Sequence, residues 1–373
     1  MNIKALQTSV EQVYGVPIKY GNQCQQLAIA IFEETEDYIS FQTLRRFFGF
    51  IKTDNKTTSR TLDILSKYCG YLHFNDFCTK LNNAKNAVGT LIESAYNIPV
   101  RKEKDLNFHY VCRNLARIMY HDLSLVEQNI SFLANSTVAN EFFFERFVFI
   151  DHLHNPIYRR ALLLYKKVKN TLDANVFVDS TLYLANFLLK NKVEKLPLSL
   201  NLSKLHLLHP FLQARVLGSY LIAGTLNKNE LIKLIFDTEK TQLYHDNETN
   251  EFAFFHWMMA DYFLVCKLPQ EARKVIELSQ KNYNAVPTGW LETGYHETFD
   301  LLYAICLEAT GETDQAKQMF DQLKQQHFHF IFSKYFTIRY LNLKKKLFGT
   351  LTETEEKELV ELYSKTKFKY LKQ

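Results

Sequence analysis

Apolar residues recur three and four positions apart along most of this chain, the spacing of a helix face. The first stretch, residues 1–14, ends at Gly15 and Pro17. A second helix is expected over 22–34, with Leu27, Ala28, Ile31 and Phe32 on one face. A third starts at Ser40, whose hydroxyl suits a cap for the free amides of the next turn, and stops near Gly49. After the polar loop IKTDNKTT, a fourth starts at Thr58 or Ser59, turns Leu62, Leu65 and Tyr68 inward and ends at Gly70. A short fifth helix is expected over 74–81, closing a five-helix domain at residues 1–83. Residues 84–105 are expected to be a connecting helix and linker, most linker-like at IPVRKEKD, with a helical-repeat domain over 106–373.

Downstream the pattern is helix after helix. NFHYVCRNLARIMYHD, VANEFFFERFVFIDHL and YRRALLLYKKV carry strong apolar faces. Residues 141–150 are apolar nearly all round, which predicts a helix enclosed by neighbours. Only 196–209 alternates like a strand, and it reads as an irregular connection or short helix. The aromatic runs FAFFHWMMADYF and HFHFIFSKYF have the spacing of core rather than of a ligand groove. Thr352 and Glu355 suit a capping box for the last helix. Composition agrees: 30 Phe and 21 Tyr supply core, while 11 Gly and 7 Pro are too few for the turns of a sheet-rich fold. The fold class expected is all-α.

The segment FDLLYAICLEATGETDQAKQMFDQL resembles a tetratricopeptide unit. Ala304 falls where the first helix needs a small residue, Gly311 in the turn, and Ala316 and Phe320 at the small and aromatic positions of the second helix. A looser unit aligns upstream on Ala260, LPQEA, Ala272 and Ile276, and a weaker one around Ala161 and Tyr165. Ala272 and Ala316 lie 44 residues apart, so the expected architecture is an irregular tetratricopeptide-like α-α superhelix.

SFQTLRRFFGF resembles the recognition helix of lambda-repressor-like helix-turn-helix proteins, and TSRTLDILSKYCGY the helix packed behind it. The resemblance covers about residues 20–80. It implies a DNA-binding site. Gln42, Thr43 and Arg46 lie opposite the core-facing Leu44 and Phe47 and would read bases in the major groove, the groove where Gln and Arg recognise base edges. Ser40 caps the reader, and Arg45 belongs to the same positive run. Lys52, Lys56 and Arg60, with Ser59 at a helix N-terminus, would hold phosphates. Between Tyr38 and Thr61 there are five basic residues and one acidic residue, Asp54. Two features depart from the family. Leu27-Ala28 lies 12 residues before Ser40, implying a longer helix or an expanded turn, and an acidic cluster runs from Glu33 to Asp37.

Net charge is +5, too mild to imply nucleic acid without such a local patch. The six cysteines include no CxxC pair and read as buried free thiols of a reducing compartment, the cytoplasm. HxH at 152–154 and 327–329 is poor metal spacing on a helix, and His296-Glu297-Thr298-Phe299-Asp300 has Asp where a zinc-binding HExxH needs its second His. With no Gly-rich phosphate loop, no GxSxG and no apolar run of membrane length, neither an enzyme, a cofactor, a metal nor a membrane partner is expected. The architecture resembles bacterial and phage peptide-sensing regulators, implying a homodimer that binds DNA and holds a peptide or protein in the repeat groove. The alternative is a non-enzymatic interaction scaffold whose N-terminal domain is a docking module.

Overall fold

The computed structural model describes residues 2–51, 57–97, 106–197, 199–241, 253–282 and 293–372. Among these residues the secondary structure is helical, with no strand. The chain divides into two compact units, Met1–Leu91 and Ile92–Gln373.

The first unit contains α1 (Asn2–Tyr14), α2 (Gln23–Thr35), α3 (Phe41–Phe47), α4 (Ser59–Tyr68) and the start of α5 (Phe74–Tyr96). α2 packs against α3 and α4, and α1 against α4. Their shared core holds Leu6, Val10, Leu27, Ile31, Leu44, Phe47, Leu62, Leu65 and Tyr68. Burying such a side chain contributes roughly 1.5–3 kcal/mol before conformational entropy is subtracted. Two expectations need correction. Phe32 is half in water rather than on the core face of α2, because the buried stripe follows Cys24, Leu27 and Ile31. The fifth helix runs on to Tyr96 instead of stopping at 81, since Asn82, Asn83 and Lys85 are tolerated in a helix and no Gly or Pro interrupts it before Gly89. The IPVRKEKD segment lies outside the described residues.

The second unit begins with the end of α5 and continues through α6 (Leu106–His121), α7 (Leu123–Asn135), α8 (Thr137–Ala139), α9 (Pro156–Lys169), α10 (Leu172–Lys190), α11 (Pro210–Ala223) and α12 (Lys228–Thr241). α13 (Phe254–Val265), α14 (Pro269–Asn282), α15 (Thr293–Ala309), α16 (Thr313–Gln322), α17 (Ser333–Phe348) and α18 (Glu353–Thr366) complete it. α11, α13, α15 and α17 pack in a row, each on the next, and α12, α14, α16 and α18 each pack on the member of that row before them. Small residues permit the close crossings: Ala260, Ala272, Ala304 and Ala316 are all fully buried. Gly311 turns the chain between α15 and α16 at φ +92°, a conformation in which a Cβ would be strained. Thr352 and Glu355 form the expected capping box on α18. The connection before α11 holds a short 3₁₀ helix, Leu202–Leu207.

Residues 141–150 contribute Phe142, Phe143, Phe144, Val148 and Phe149 to the core, yet not as the plain enclosed α-helix expected. α8 widens into a π-helix, Asn140–Glu145, and the chain then leaves helical geometry until a 3₁₀ turn at Ile150–His152. Phe142, Phe143 and Phe144 are consecutive and all buried, while Glu141, Glu145 and Arg146 beside them stay partly exposed. Both aromatic runs are core: Phe255, Met259, Tyr262 and Phe263 on α13, and Phe330, Phe332, Tyr335 and Phe336 around the start of α17.

One set of contacts ties early helices to late ones. Asp151, 1% exposed, accepts hydrogen bonds from the backbone N–H groups of Lys334 and Tyr335, both at 2.9 Å. It thereby caps α17 from 183 residues away in sequence. The Tyr120 hydroxyl donates to the same carboxylate at 2.7 Å, and the Lys334 ammonium donates to that hydroxyl. At the far end, Tyr370 packs on Phe187 of α10 and donates to the Val265 carbonyl of α13. An open array in which each repeat touches only its neighbours would lack these links.

Burial pushes the Asp151 carboxyl up to about 6, against the pull of Lys334, Tyr120 and two backbone amides. Asp151→Ala would strand these partners, and equilibrium urea unfolding is expected to show a loss of about 3–5 kcal/mol. Burial also drives His329 down to about 3, so the folded chain holds this imidazole neutral while the unfolded chain protonates it near 6.5. The unfolded state then binds more protons between those values, and stability falls with acidification through that window. Between pH 7.5 and 5.5, His329→Phe should remove about 1.4 kcal/mol of that pH-dependent loss, measured as the difference in unfolding free energy at the two pH values.

Candidate nucleic-acid interface

Helix α3 is short, and its start is fixed by its cap. The Ser40 hydroxyl accepts from the Thr43 N–H at 3.2 Å, and the two hydroxyls lie 2.9 Å apart. The Gln7 side chain of α1 donates to the Phe47 carbonyl at the other end. Leu44 and Phe47 anchor the inner face in the core, as their spacing predicts.

The outer face is more differentiated than helical spacing alone suggests. Arg46 is exposed and has no ion-pair partner among the described residues. Gln42 and Thr43 are half-buried, and the Thr43 hydroxyl is engaged with Ser40. Arg45 is half-buried: its guanidinium lies so close to Gly21 that a Cβ there would come within 2.9 Å of Nε. Its Nη1 donates to the Gln42 side-chain Oε1 at 3.5 Å. The structure thus brings Gln42 and Arg45 together and leaves Arg46 to solvent.

α4 repeats the same cap. Thr58 accepts from the Thr61 N–H at 3.3 Å and its hydroxyl lies 2.9 Å from that of Thr61. Ser59 and Arg60 follow in the first turn, both exposed. Lys52 and Lys56 lie outside the described residues.

The acidic stretch before α3 is partly neutralised. Glu36 ends α2 in the left-handed region at φ 58°, and residues 36–40 connect it to α3. Asp37 pairs with Lys67 of α4 at 2.8 Å. Glu33 and Glu34 remain exposed. The Asp37–Lys67 pair was not legible from sequence, because it joins residues 30 positions apart across the fold. Tyr38, Phe41 and Phe50 are also exposed around α3, placing apolar surface beside the cationic side chains. Phe41 was legible as the first helical residue, a position outside the core stripe of Leu44 and Phe47.

Among the described residues no group of three or more His, Cys, Asp or Glu could hold a metal ion, and no helix is long and apolar enough to cross a membrane. Ser40→Ala should unseat the start of α3 and cost about 1 kcal/mol in urea unfolding, with the same substitution at Thr58 costing a similar amount. Comparison of the chain with family models, with curated proteins and with solved structures finds no match.

Proposed function

We propose that the chain is a DNA-binding transcriptional regulator: the first unit reads the major groove through α3, and the second is a tetratricopeptide-like array that receives an effector, such as a peptide, or a protein partner. The observation that carries this reading is the capped α3, docked by Leu44 and Phe47 and presenting Arg46 to solvent. Arg46 and Gln42 are the base readers in this scheme. Their side chains match guanine and adenine edges respectively. Arg45 braces Gln42 and carries positive charge at the groove's edge. Ser59 and Arg60 offer backbone amides and a guanidinium to a phosphate at the start of α4, with Lys52 and Lys56 assigned to the same backbone contacts. The Asp37–Lys67 pair supports the reading, since it removes one of the acidic charges that would repel DNA.

The row of α11, α13, α15 and α17 with partner helices behind it supports a tetratricopeptide-like second unit. Two half-sites about 34 Å apart require two readers, so the active form is a homodimer. A second reading, the interaction scaffold, draws on exposed Glu33 and Glu34 beside α3. In that case the apolar surface of Tyr38, Phe41 and Phe50 serves protein docking.

Selection of bound sequences from a randomised duplex library, followed by anisotropy titrations over a salt series, separates the two. The regulator reading expects an enriched sequence whose affinity falls steeply with salt. Arg46→Ala should cost about 1–3 kcal/mol on that sequence and relax the preference at one position, whereas Arg60→Ala should weaken all sequences alike and lower the salt slope by about 1. Absence of enrichment, or an Arg46→Ala, Gln42→Ala double variant that behaves as the wild type, would overturn the assignment of readers.

A further inference from the structure

Two arginines of the second unit are buried, and they are treated differently. Arg339 of α17, 8% exposed, pairs with the Asp261 carboxylate of α13, which also accepts from the Tyr335 hydroxyl at 3.0 Å. Arg215 of α11, 3% exposed, has no carboxylate partner among the described residues. Its Nη1 donates to the Thr181 hydroxyl of α10 at 2.8 Å, and its Nε is buried without an acceptor. The guanidinium carbon lies 5.3 Å and 5.0 Å from the ring centres of Phe177 and Phe211. Those rings supply some cation–π attraction but no counter-charge.

The groups whose charge bears on Arg215 are the phenols Tyr262, Tyr158 and Tyr295. They cannot act as anions at neutral pH. Burial pushes the Tyr262 hydroxyl up to about 12 and raises the other two as well. Tyr158 already accepts from the Phe149 N–H at 3.0 Å, so its own O–H proton remains for donation. The neighbourhood is therefore one fixed positive charge among neutral side chains. Removing an unpaired ion from water costs several kcal/mol, which an anionic partner offsets.

We propose that Arg215 anchors a buried binding site for a small monocarboxylate ligand in the second unit. The single guanidinium matches a single negative charge, whereas a phosphate dianion would bring a second, uncompensated one. Aromatic rings flank the guanidinium, so its N–H edge is the place for a partner, and parallel N–H donors fit a carboxylate side by side. The assignment draws on the second unit alone and stands apart from the DNA-binding reading.

The test is thermal unfolding of the full chain, wild type beside Arg215→Met and Arg215→Lys, titrated with acetate, benzoate, phosphate and chloride at constant ionic strength. Acetate or benzoate is expected to raise the wild-type melting temperature saturably, by the mass action of a ligand that binds only the folded state. Arg215→Met, which removes the unpaired charge, is expected to melt no lower than the wild type without carboxylate and to lose the response; a reversal of the stability order on adding carboxylate is a readout no purely structural role produces. Arg215→Lys keeps the charge without the planar edge and should bind at least tenfold more weakly. Should Arg215→Met fail to fold, direct calorimetric titration of wild type and Arg215→Lys with benzoate reads the same difference. Carboxylates no better than chloride, equal responses across the variants, or phosphate stabilising as well as acetate would each overturn the proposal.

Discussion

The second unit depends on one buried carboxylate. Asp151 accepts from two backbone amides at the start of α17 and from the Tyr120 hydroxyl, so a single side chain joins α6, the irregular segment after the π-helix and the penultimate long helix. A helix N-terminus in an apolar interior cannot leave its amides unmet. The sequence at the start of α17 supplies no local cap: Phe332 occupies the position where Ser, Thr, Asp or Asn would serve. The cap therefore comes from elsewhere in the chain, and the aromatic packing of Tyr120, Phe149 and Phe330 around it follows from that position. The π-helix and the broken backbone at 146–152 are the conformations that bring Asp151 to α17.

Among the described residues of this unit, buried charge follows the same rule with one exception. Arg339 is closed by Asp261, Lys166 by Asp179 and Lys334 by Asp151 with Tyr120. Arg339 is taken from water, Lys166 and Lys334 only in part, and each has a counter-ion or an acceptor in return. Arg215 alone among these combines near-complete burial with a neutral setting of Thr181, two phenylalanine rings and three phenols. The proposed carboxylate site at Arg215 rests on this contrast within one unit.

In the first unit the same economy of capping shapes the candidate DNA-binding face. Ser40 and Thr58 start α3 and α4 with the same pair of hydroxyl contacts, each reaching the Thr three residues on. Because α3 is so short, its position is set by Leu44 and Phe47 in the core and by Gln7 on its last carbonyl. Arg45 is drawn down onto Gly21, while Arg46 is the charged side chain that α3 presents to solvent.

Local pattern fixed much of this protein in advance. Apolar spacing marked α2, α3 and α4 nearly to the residue, the Ser40 and Thr352 caps were legible as side chains able to reach their own next turn, and Ala304, Ala316 and Phe320 marked the closely crossing helices. These features are legible because their partners lie within a few residues, where helical geometry dictates the distance. What the spacing could not contain is every contact whose two halves lie far apart: Asp37 with Lys67, Arg45 against Gly21, Asp151 on α17, and Arg215 among rings from α10 and α11. It also could not tell an enclosed α-helix from the π-helix at 140–145, because an all-round apolar run satisfies either. Whether a charged side chain faces water, a counter-ion or neither is decided by where the rest of the chain packs, and only the tertiary structure carries that.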